Sequence, residues 1–504
     1  MPRTPTLTFD RGTLLLHPPP KGKDWMDLAT WDDRVEKFRI RAIDYRVLIE
    51  TLQGSNIHFI DKAKQFSELS IPSALPMTPY PHQEDALLSW KRAKRQGVVV
   101  LPTAAGKTYL AQLAIQSTPR TTLIVVPTVD LLHQWYSQLL SSFPNVEIGL
   151  LGGGSKDRTP ILVSTYHSAA IHSETLGNQY ALLIFDECHH LPTDFFRKIA
   201  EDAIAPYRLG LTATPERTDG AHETLDVLVG SVVYHKSPQD LSGQALAKHE
   251  VVQIKVKLST EEQQCYDNAL KTRNHFLRQA NISLGSLNGW QLFVKASASS
   301  SAGRRAMLAH RESKELAAGT SAKLRVLETL IAQHYPQRIL IFTQDNATVY
   351  KISQQFLIPA ITHQTKVKER HKILMDFREG RYKVLAASQV LNEGVDVPEA
   401  QVAIILSGTG STREFIQRLG RILRKGKAAN KLAILYEVIA DNTAEEQVSR
   451  RRHGESEKGQ FLRKASGAKG RQLELISSKT SYPNNIVEGQ KAAEKSEAWK
   501  NPEE

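Results

Sequence analysis

From Val98 onward, apolar runs of strand length alternate with helix-length amphipathic stretches, and this rhythm restricts the fold more tightly than any other feature of the chain. Val98-Val99-Val100-Leu101, Leu123-Ile124-Val125-Val126, Ile161-Leu162-Val163, Leu182-Leu183-Ile184-Phe185 and Leu209-Gly210-Leu211 make a first series. Ile339-Leu340-Ile341-Phe342, Val384-Leu385-Ala386-Ala387, Val402-Ala403-Ile404-Ile405-Leu406 and Leu432-Ala433-Ile434-Leu435 make a second. Strands apolar on both faces and separated by helices signal βαβ units, with a parallel sheet covered on either side. The expectation is an α/β chain with two doubly wound parallel-sheet domains, over residues 76–240 and 316–445.

The flanks read differently. In residues 1–75, apolar Leu7-Thr8-Phe9 and Thr13-Leu14-Leu15-Leu16 flank Asp10-Arg11-Gly12, a hairpin signal that predicts a small α+β domain. Ile71 to Pro81, with Pro72, Pro76, Pro79 and Pro81, reads as a linker. Residues 255–315 read as a helical insertion, with Thr260–Arg278 helix-prone and Ala296–Arg305, rich in Ser, Ala and Gly, as a flexible tip. Residues 446–504 are charged and short of apolar clusters, so a disordered tail is expected, with Arg450-Arg451-Arg452 as a solvated basic stretch. Cys188 and Cys265 cannot form a disulfide framework. No apolar run approaches the roughly 18 to 20 residues that span a bilayer, and the expectation is a cytoplasmic, nucleoid-associated protein with no membrane partner. The formal net charge of +12 and pI near 9.4 favour a polyanionic partner.

Leu101-Pro102-Thr103-Ala104-Ala105-Gly106-Lys107-Thr108 lies where a strand gives way to a helix. Backbone N–H groups there converge on an anion, aided by the positive end of the helix dipole. Lys107 is placed to reach the β- and γ-phosphates of a nucleotide and the Thr108 hydroxyl to ligate Mg²⁺. Asp186-Glu187-Cys188-His189-His190 follows an apolar strand, so its carboxylates emerge at the carboxyl end of a parallel sheet. Asp186 can hold Mg²⁺, while Glu187 can orient or deprotonate water. A zinc site at Cys188-His189-His190 is not expected, since adjacent residues project differently and no second cysteine pair exists. Arg421 and Arg424, three apart on one helical face, can bring cations to a phosphate from the second domain.

In this order the blocks resemble superfamily 2 helicases and translocases, and more closely the XPB-like DNA repair helicases. The resemblance covers roughly residues 76–440 and implies two tandem RecA-like domains that close on ATP and Mg²⁺. It implies that Gln83 reads adenine, that Thr103, Ala104, Ala105, Gly106, Lys107 and Thr108 hold phosphate, and that Gly394 and Asp396 of Asn392–Pro398 complete the nucleotide site. Gln417, Arg421 and Arg424 match the arginine-finger motif, and His189 matches the histidine of the Asp-Glu-x-His box. Thr128, Thr165, Thr212, Thr214, Ser388 and Gln389 fall on strand-contacting or coupling motifs. The insertion lies where that group carries a thumb-like element, and Trp31-Asp32-Asp33-Arg34 is faintly similar to an amino-terminal damage-recognition region, with an ordinary packed tryptophan the simpler reading.

Three departures matter. Ala104 stands where the family has glycine, Tyr80 replaces an arginine beside Gln83, and Arg217-Thr218-Asp219 replaces an Arg-Glu-Asp triad. The expected function is an ATP-dependent DNA helicase or translocase moving 3′ to 5′ in DNA repair or processing, on single-stranded or forked DNA, with RNA left open. A nuclease or repair protein is the expected protein partner. An ATP-switched clamp that does not unwind, and the motor subunit of a restriction system, are the alternatives.

Overall fold

The computed structural model describes residues 4–72, 75, 77–215, 220–238, 240–241, 248–286, 288–388, 400–408, 432–452 and 473–474. Strands β1 (Thr6–Asp10), β2 (Thr13–His17), β3 (Ala29–Asp32), β4 (Lys37–Arg41) and β5 (Ile60–Asp61) form an amino-terminal sheet in the order β3-β4-β2-β1-β5. The β1–β2 hairpin pairs Asp10 with Thr13 around Arg11 and Gly12, whose φ angles of 42° and 79° match the twist a two-residue turn needs. The helix Tyr45–Gly54 closes this unit, packing Leu48 and Leu52 with Trp25, Leu14 and Leu16.

The first α/β unit contains β6 (Gln96–Val100), β7 (Thr122–Val126), β8 (Ile148–Gly152), β9 (Ser155–Lys156), β10 (Ile161–Thr165), β11 (Leu182–Asp186), β12 (Tyr207–Thr212) and β13 (Val232–His235). Their order is β13-β6-β12-β11-β7-β10-β8-β9, parallel throughout except for β9. β7, β10 and β11 are buried at every residue, as strands sandwiched by helices must be. The second unit contains β14 (Lys248–Val256), β15 (Ile339–Phe342), β16 (Ala360–Ile361), β17 (Val384–Ala387), β18 (Val402–Ile405), β19 (Leu432–Ala440) and β20 (Leu473–Glu474), in the all-parallel order β16-β17-β15-β18-β19-β14-β20.

β14 precedes the helical insertion in sequence yet lies beside β19, so the insertion is a loop of the second unit and not a connector between the two. The insertion consists of helices Thr260–Gln279, Gly289–Ser299 and Ser301–Ala318. Its Ser/Ala/Gly stretch is not the expected flexible tip. Ser300 caps the third helix by accepting from the Gly303 N–H at 2.9 Å, and a Cβ on Gly303 would stand 2.5 Å from the Ala296 carbonyl oxygen. Small residues are there to let two helices meet closely.

Two other expectations shift. The proline-bearing segment lies against the first unit: Gln116 Nε2 donates to the Pro72 carbonyl at 3.3 Å, and Ile71 and Leu75 pack on its core. Order also persists past residue 446, because Ala444–Arg452 is a helix that takes in Arg450, Arg451 and Arg452. Lys255 Nζ meets Glu446 Oε1 at 3.1 Å and holds that helix to the end of β14.

Candidate functional site

The loop after β6 turns through two left-handed residues, Ala104 at φ 71° and Gly106 at φ 79°, before the helix Lys107–Ser117 begins. Alanine therefore takes the conformation for which glycine is the natural residue. The Thr103 hydroxyl is buried and has no hydrogen-bond partner among the described residues. Under the loop, buried Gln83 donates from Nε2 to the Ala105 and Gly106 carbonyls at 3.3 and 3.1 Å, and its Oε1 accepts from the Tyr80 N–H at 2.9 Å. His82 Nε2 lies 2.8 Å from the same Ala105 carbonyl. The side chain expected to read adenine thus braces the phosphate loop, while exposed Tyr80 stacks on His82 with ring centroids 5.7 Å apart.

β12 separates β6 from β11, so the acidic pair emerges two strands away along the same carboxyl edge. Asp186 Oδ2 accepts from Trp135 Nε1 at 2.9 Å and Oδ1 from the Glu187 N–H at 3.1 Å. Burial pushes the Asp186 carboxyl up to about 6, the Glu187 charge adds to this, and Lys107 opposes it. Glu187, at φ 49°, places Oε1 3.2 Å from Lys107 Nζ and Oε2 3.5 Å from both the Thr212 hydroxyl and His189 Nδ1. The Thr212 hydroxyl is 3.1 Å from His189 Nδ1, donates to the Thr214 carbonyl at 3.0 Å and accepts from the Thr214 N–H at 3.2 Å. Lys107, Asp186, Glu187, His189, Thr212 and Thr214 are therefore brought together, with Thr108 in the first turn of the helix that Lys107 opens. Cys188 turns instead into the core.

Two supports had no local signal in the sequence. Trp135 comes from the helix Val129–Ser142, and Tyr166 donates its hydroxyl to the Asp186 carbonyl at 3.0 Å. Thr128 and Thr165 each cap a helix, accepting from the Leu131 N–H at 3.3 Å and the Ser168 N–H at 3.2 Å. Those positions present helix N-termini along the edge where β7 and β10 end. Ser388 is buried just past β17, its N–H donating to the Ile361 carbonyl at 3.1 Å. Gln389, Gly394, Asp396, Gln417, Arg421 and Arg424 lie outside the described residues, as does the segment Arg217-Thr218-Asp219. Between the units, Arg370 Nη1 of the helix Val367–Arg378 stands 3.7 Å from Asp130 Oδ2.

In the amino-terminal unit Trp31 is 45% exposed and Trp25 is wholly buried, so Trp31 is not the packed core tryptophan that the simpler reading expected. Trp31 lines an open cleft of about 710 Å³ with Asp27, Asp33, Arg39, Arg41 and Asp44. The guanidiniums there are matched: Arg39 pairs with Asp10 and Asp32 at 2.9 and 2.8 Å, and Arg41 with Asp44 at 2.7 Å. Arg34 first, then Arg39, holds the Asp32 carboxyl below the usual carboxylate range.

Residues 7–63 match the family described as the Xeroderma pigmentosum group B helicase damage recognition domain, residues 76–217 that of the type III restriction enzyme res subunit, and residues 322–426 the helicase conserved C-terminal domain. The DNA 3′-5′ translocase XPB2 of Sulfurisphaera tokodaii is 39% identical over 432 residues, covering 84% of this chain and 95% of its own. DNA 3′-5′ helicase XPB of Kineococcus radiotolerans is 31% identical over 385 residues, covering 74% of this chain and 61% of its own. Its counterpart in Mycobacterium tuberculosis is 30% identical over 368 residues, covering 71% and 60%. No helix among the described residues is long and apolar enough to cross a membrane.

Proposed function

Since this chain belongs to the XPB-like group of superfamily 2 helicases, we propose that it hydrolyses ATP to move 3′ to 5′ along DNA, in DNA repair or processing. The observation that carries this reading is the position of Glu187, shared between Lys107 on one side and Thr212 with His189 on the other. A γ-phosphate arriving at Lys107 competes for the ammonium and frees Glu187 to orient a water. Thr212 and Thr214 sit on the far side of the same carboxylate, next to the edge offered to nucleic acid, so a strand bound there acts on the group that governs hydrolysis.

The unpartnered Thr103 hydroxyl and the left-handed turn at Ala104 and Gly106 fit a phosphate cradle. Thr108 and Asp186 are the residues that would hold Mg²⁺, and a buried carboxylate raised to about 6 gains from a cation beside it. The metal would neutralise charge that develops on the transferred phosphoryl group. Gly394 and Asp396 would complete the nucleotide site, and Gln417, Arg421 and Arg424 would act from the second unit. The restriction-motor reading draws on residues 76–217 alone, whereas the XPB likeness runs along most of the chain.

The test is the ATPase rate with single-stranded, duplex and forked DNA and with RNA, measured in parallel. DNA should raise the rate, and Lys107→Ala should nearly abolish it in every arm. Arg424→Ala should lose turnover while retaining ATP binding, because a finger acts mainly in the transition state. One rate across all arms, with and without nucleic acid, would sink the translocase.

A further inference from the structure

The two ends of the helical insertion differ in chemistry. At its far end, between Leu270 and Arg311, the chain holds Lys and Arg but no Asp or Glu, and Trp290, Leu292 and Leu308 are exposed there. At its near end, hydrogen bonds tie it into the second sheet. Glu262 Oε2 accepts from the Thr320 hydroxyl at 2.6 Å and Oε1 from the Ser321 N–H at 3.0 Å, while the Tyr266 hydroxyl accepts from the Ala444 N–H at 2.8 Å. The start of the helix Ser321–His334 is therefore held by the base of the insertion.

Lys323 sits in the first turn of that helix, wholly buried. Its Nζ donates to the Leu406 carbonyl at 2.5 Å and to Glu445 Oε2 at 2.6 Å, and the same carboxylate oxygen accepts from the Ala440 N–H at 3.0 Å. A buried ammonium is expensive to desolvate, and the first turn is the wrong end of a helix dipole for a cation. An apolar side chain would serve packing alone at lower cost. What Lys323 adds is a fixed position for the Leu406 carbonyl, one residue past the end of β18. Ser407 then holds the Gln344 N–H through its hydroxyl at 2.9 Å, and the chain continues towards Gln417, Arg421 and Arg424.

We propose that Lys323, with Glu445, is a positioning residue for ATP hydrolysis, tying the chain that leaves β18 to the base of the insertion. A nucleic acid strand engaging the cationic far end then bears on Leu406, where the chain leaves β18, through Glu262, Ser321 and Lys323. This rests on the translocase reading above. Neither residue touches nucleotide, so the KM for ATP and the hydrolysis that proceeds without a strand do not depend on the tie, whereas stimulation by DNA runs through it.

The experiment compares Lys323→Met, Glu445→Gln and the double variant Lys323→Met/Glu445→Leu with the wild type, with and without forked DNA, alongside thermal melting. Replacing both members of a buried pair by apolar groups is commonly neutral or stabilising, so the double variant keeps the test readable where the single variants fold poorly. The expected result is a basal rate and KM within about two-fold of wild type and a DNA-stimulated kcat down by about ten-fold or more, in the double variant as in the singles. Full stimulation in a folded variant overturns the proposal, as does a double variant that regains it together with its stability, since the pair would then be structural only. A wild type that no nucleic acid stimulates overturns the translocase reading itself, an outcome visible before any variant is made.

Discussion

At the scale of single residues, two left-handed positions in the phosphate loop make different demands. At Gly106 an added Cβ would stand 2.2 Å from Gln83 Nε2, so a side chain brings backbone strain and displaces the amide that braces the loop. At Ala104 only the strain applies, about 1 to 2 kcal/mol for a left-handed non-glycine residue. It is partly offset because alanine has less conformational freedom to lose on folding, by about 0.4 to 1 kcal/mol. Ala104→Gly should therefore raise the thermal midpoint by no more than about 2 to 4 °C and leave nucleotide binding intact. Gly106→Ala should abolish the thermal shift produced by ATP; melting curves with and without ATP decide both, and a normal shift in Gly106→Ala would contradict the cradle. That Ala104 stands where the family has glycine was legible in the sequence because the motif is local. Gln83 bracing the loop and Trp135 holding Asp186 were not, since these contacts join residues far apart in the chain and leave no spacing to read.

Among elements, the insertion carries the clearest pH dependence. His310 lies 3.4 Å from Arg273 Nη1, its ring centroid is 5.4 Å from that of Trp290, and Lys314 Nζ is 5.9 Å from the same indole. Burial, then the Lys314 and Arg273 charges, push the imidazole down to about 4 from 6.5. The folded state thus resists a proton that the unfolded chain accepts. Stability from this group is complete above pH 6.5 and is lost as pH falls from there towards 4. Hydrogen exchange, corrected for its intrinsic pH dependence, should show residues 289–311 less protected at pH 5 than at pH 7.5. His310→Phe, which keeps a ring against Trp290 and Phe293, should flatten the difference; equal protection in the wild type at both values would refute the account. Only the strands with continuous apolar runs, such as β7, β11, β15 and β18, were legible; β14, outside both expected ranges, shows instead an alternation of buried Val252, Ile254 and Val256. Its partner was not legible, because β19 lies beyond the whole insertion. The elbow at Ser300 was misread because a flexible linker and a close helix contact draw on the same small residues.

For the whole molecule, the question is which parts move together when the cleft works. The amino-terminal unit is bonded to the first α/β unit through several independent contacts. Arg46 Nη1 donates to the Lys94 and Pro206 carbonyls at 2.8 and 3.0 Å, the Gln65 N–H to the Asn178 carbonyl at 2.9 Å, and Asn178 Nδ2 to the Ala63 carbonyl at 2.9 Å. Ile204 of the first α/β unit is buried in the amino-terminal core itself. Across the cleft Asp130 and Arg370 make a loose ion pair at 3.7 Å, beside a cluster of buried apolar residues drawn from both units. The amino-terminal cleft around Trp31 should therefore ride with the ATP-binding unit as one body while the second unit turns against both. Calorimetry should show the first two units melting in a single transition. Arg46→Ala, which removes charge-assisted bonds worth about 1 to 2 kcal/mol at a partly exposed site, should lower that shared transition by roughly 3 to 6 °C and leave any transition of the second unit in place. A separate low-temperature transition of residues 4–72 in the wild type would show instead that the amino-terminal unit swings independently of the first α/β unit.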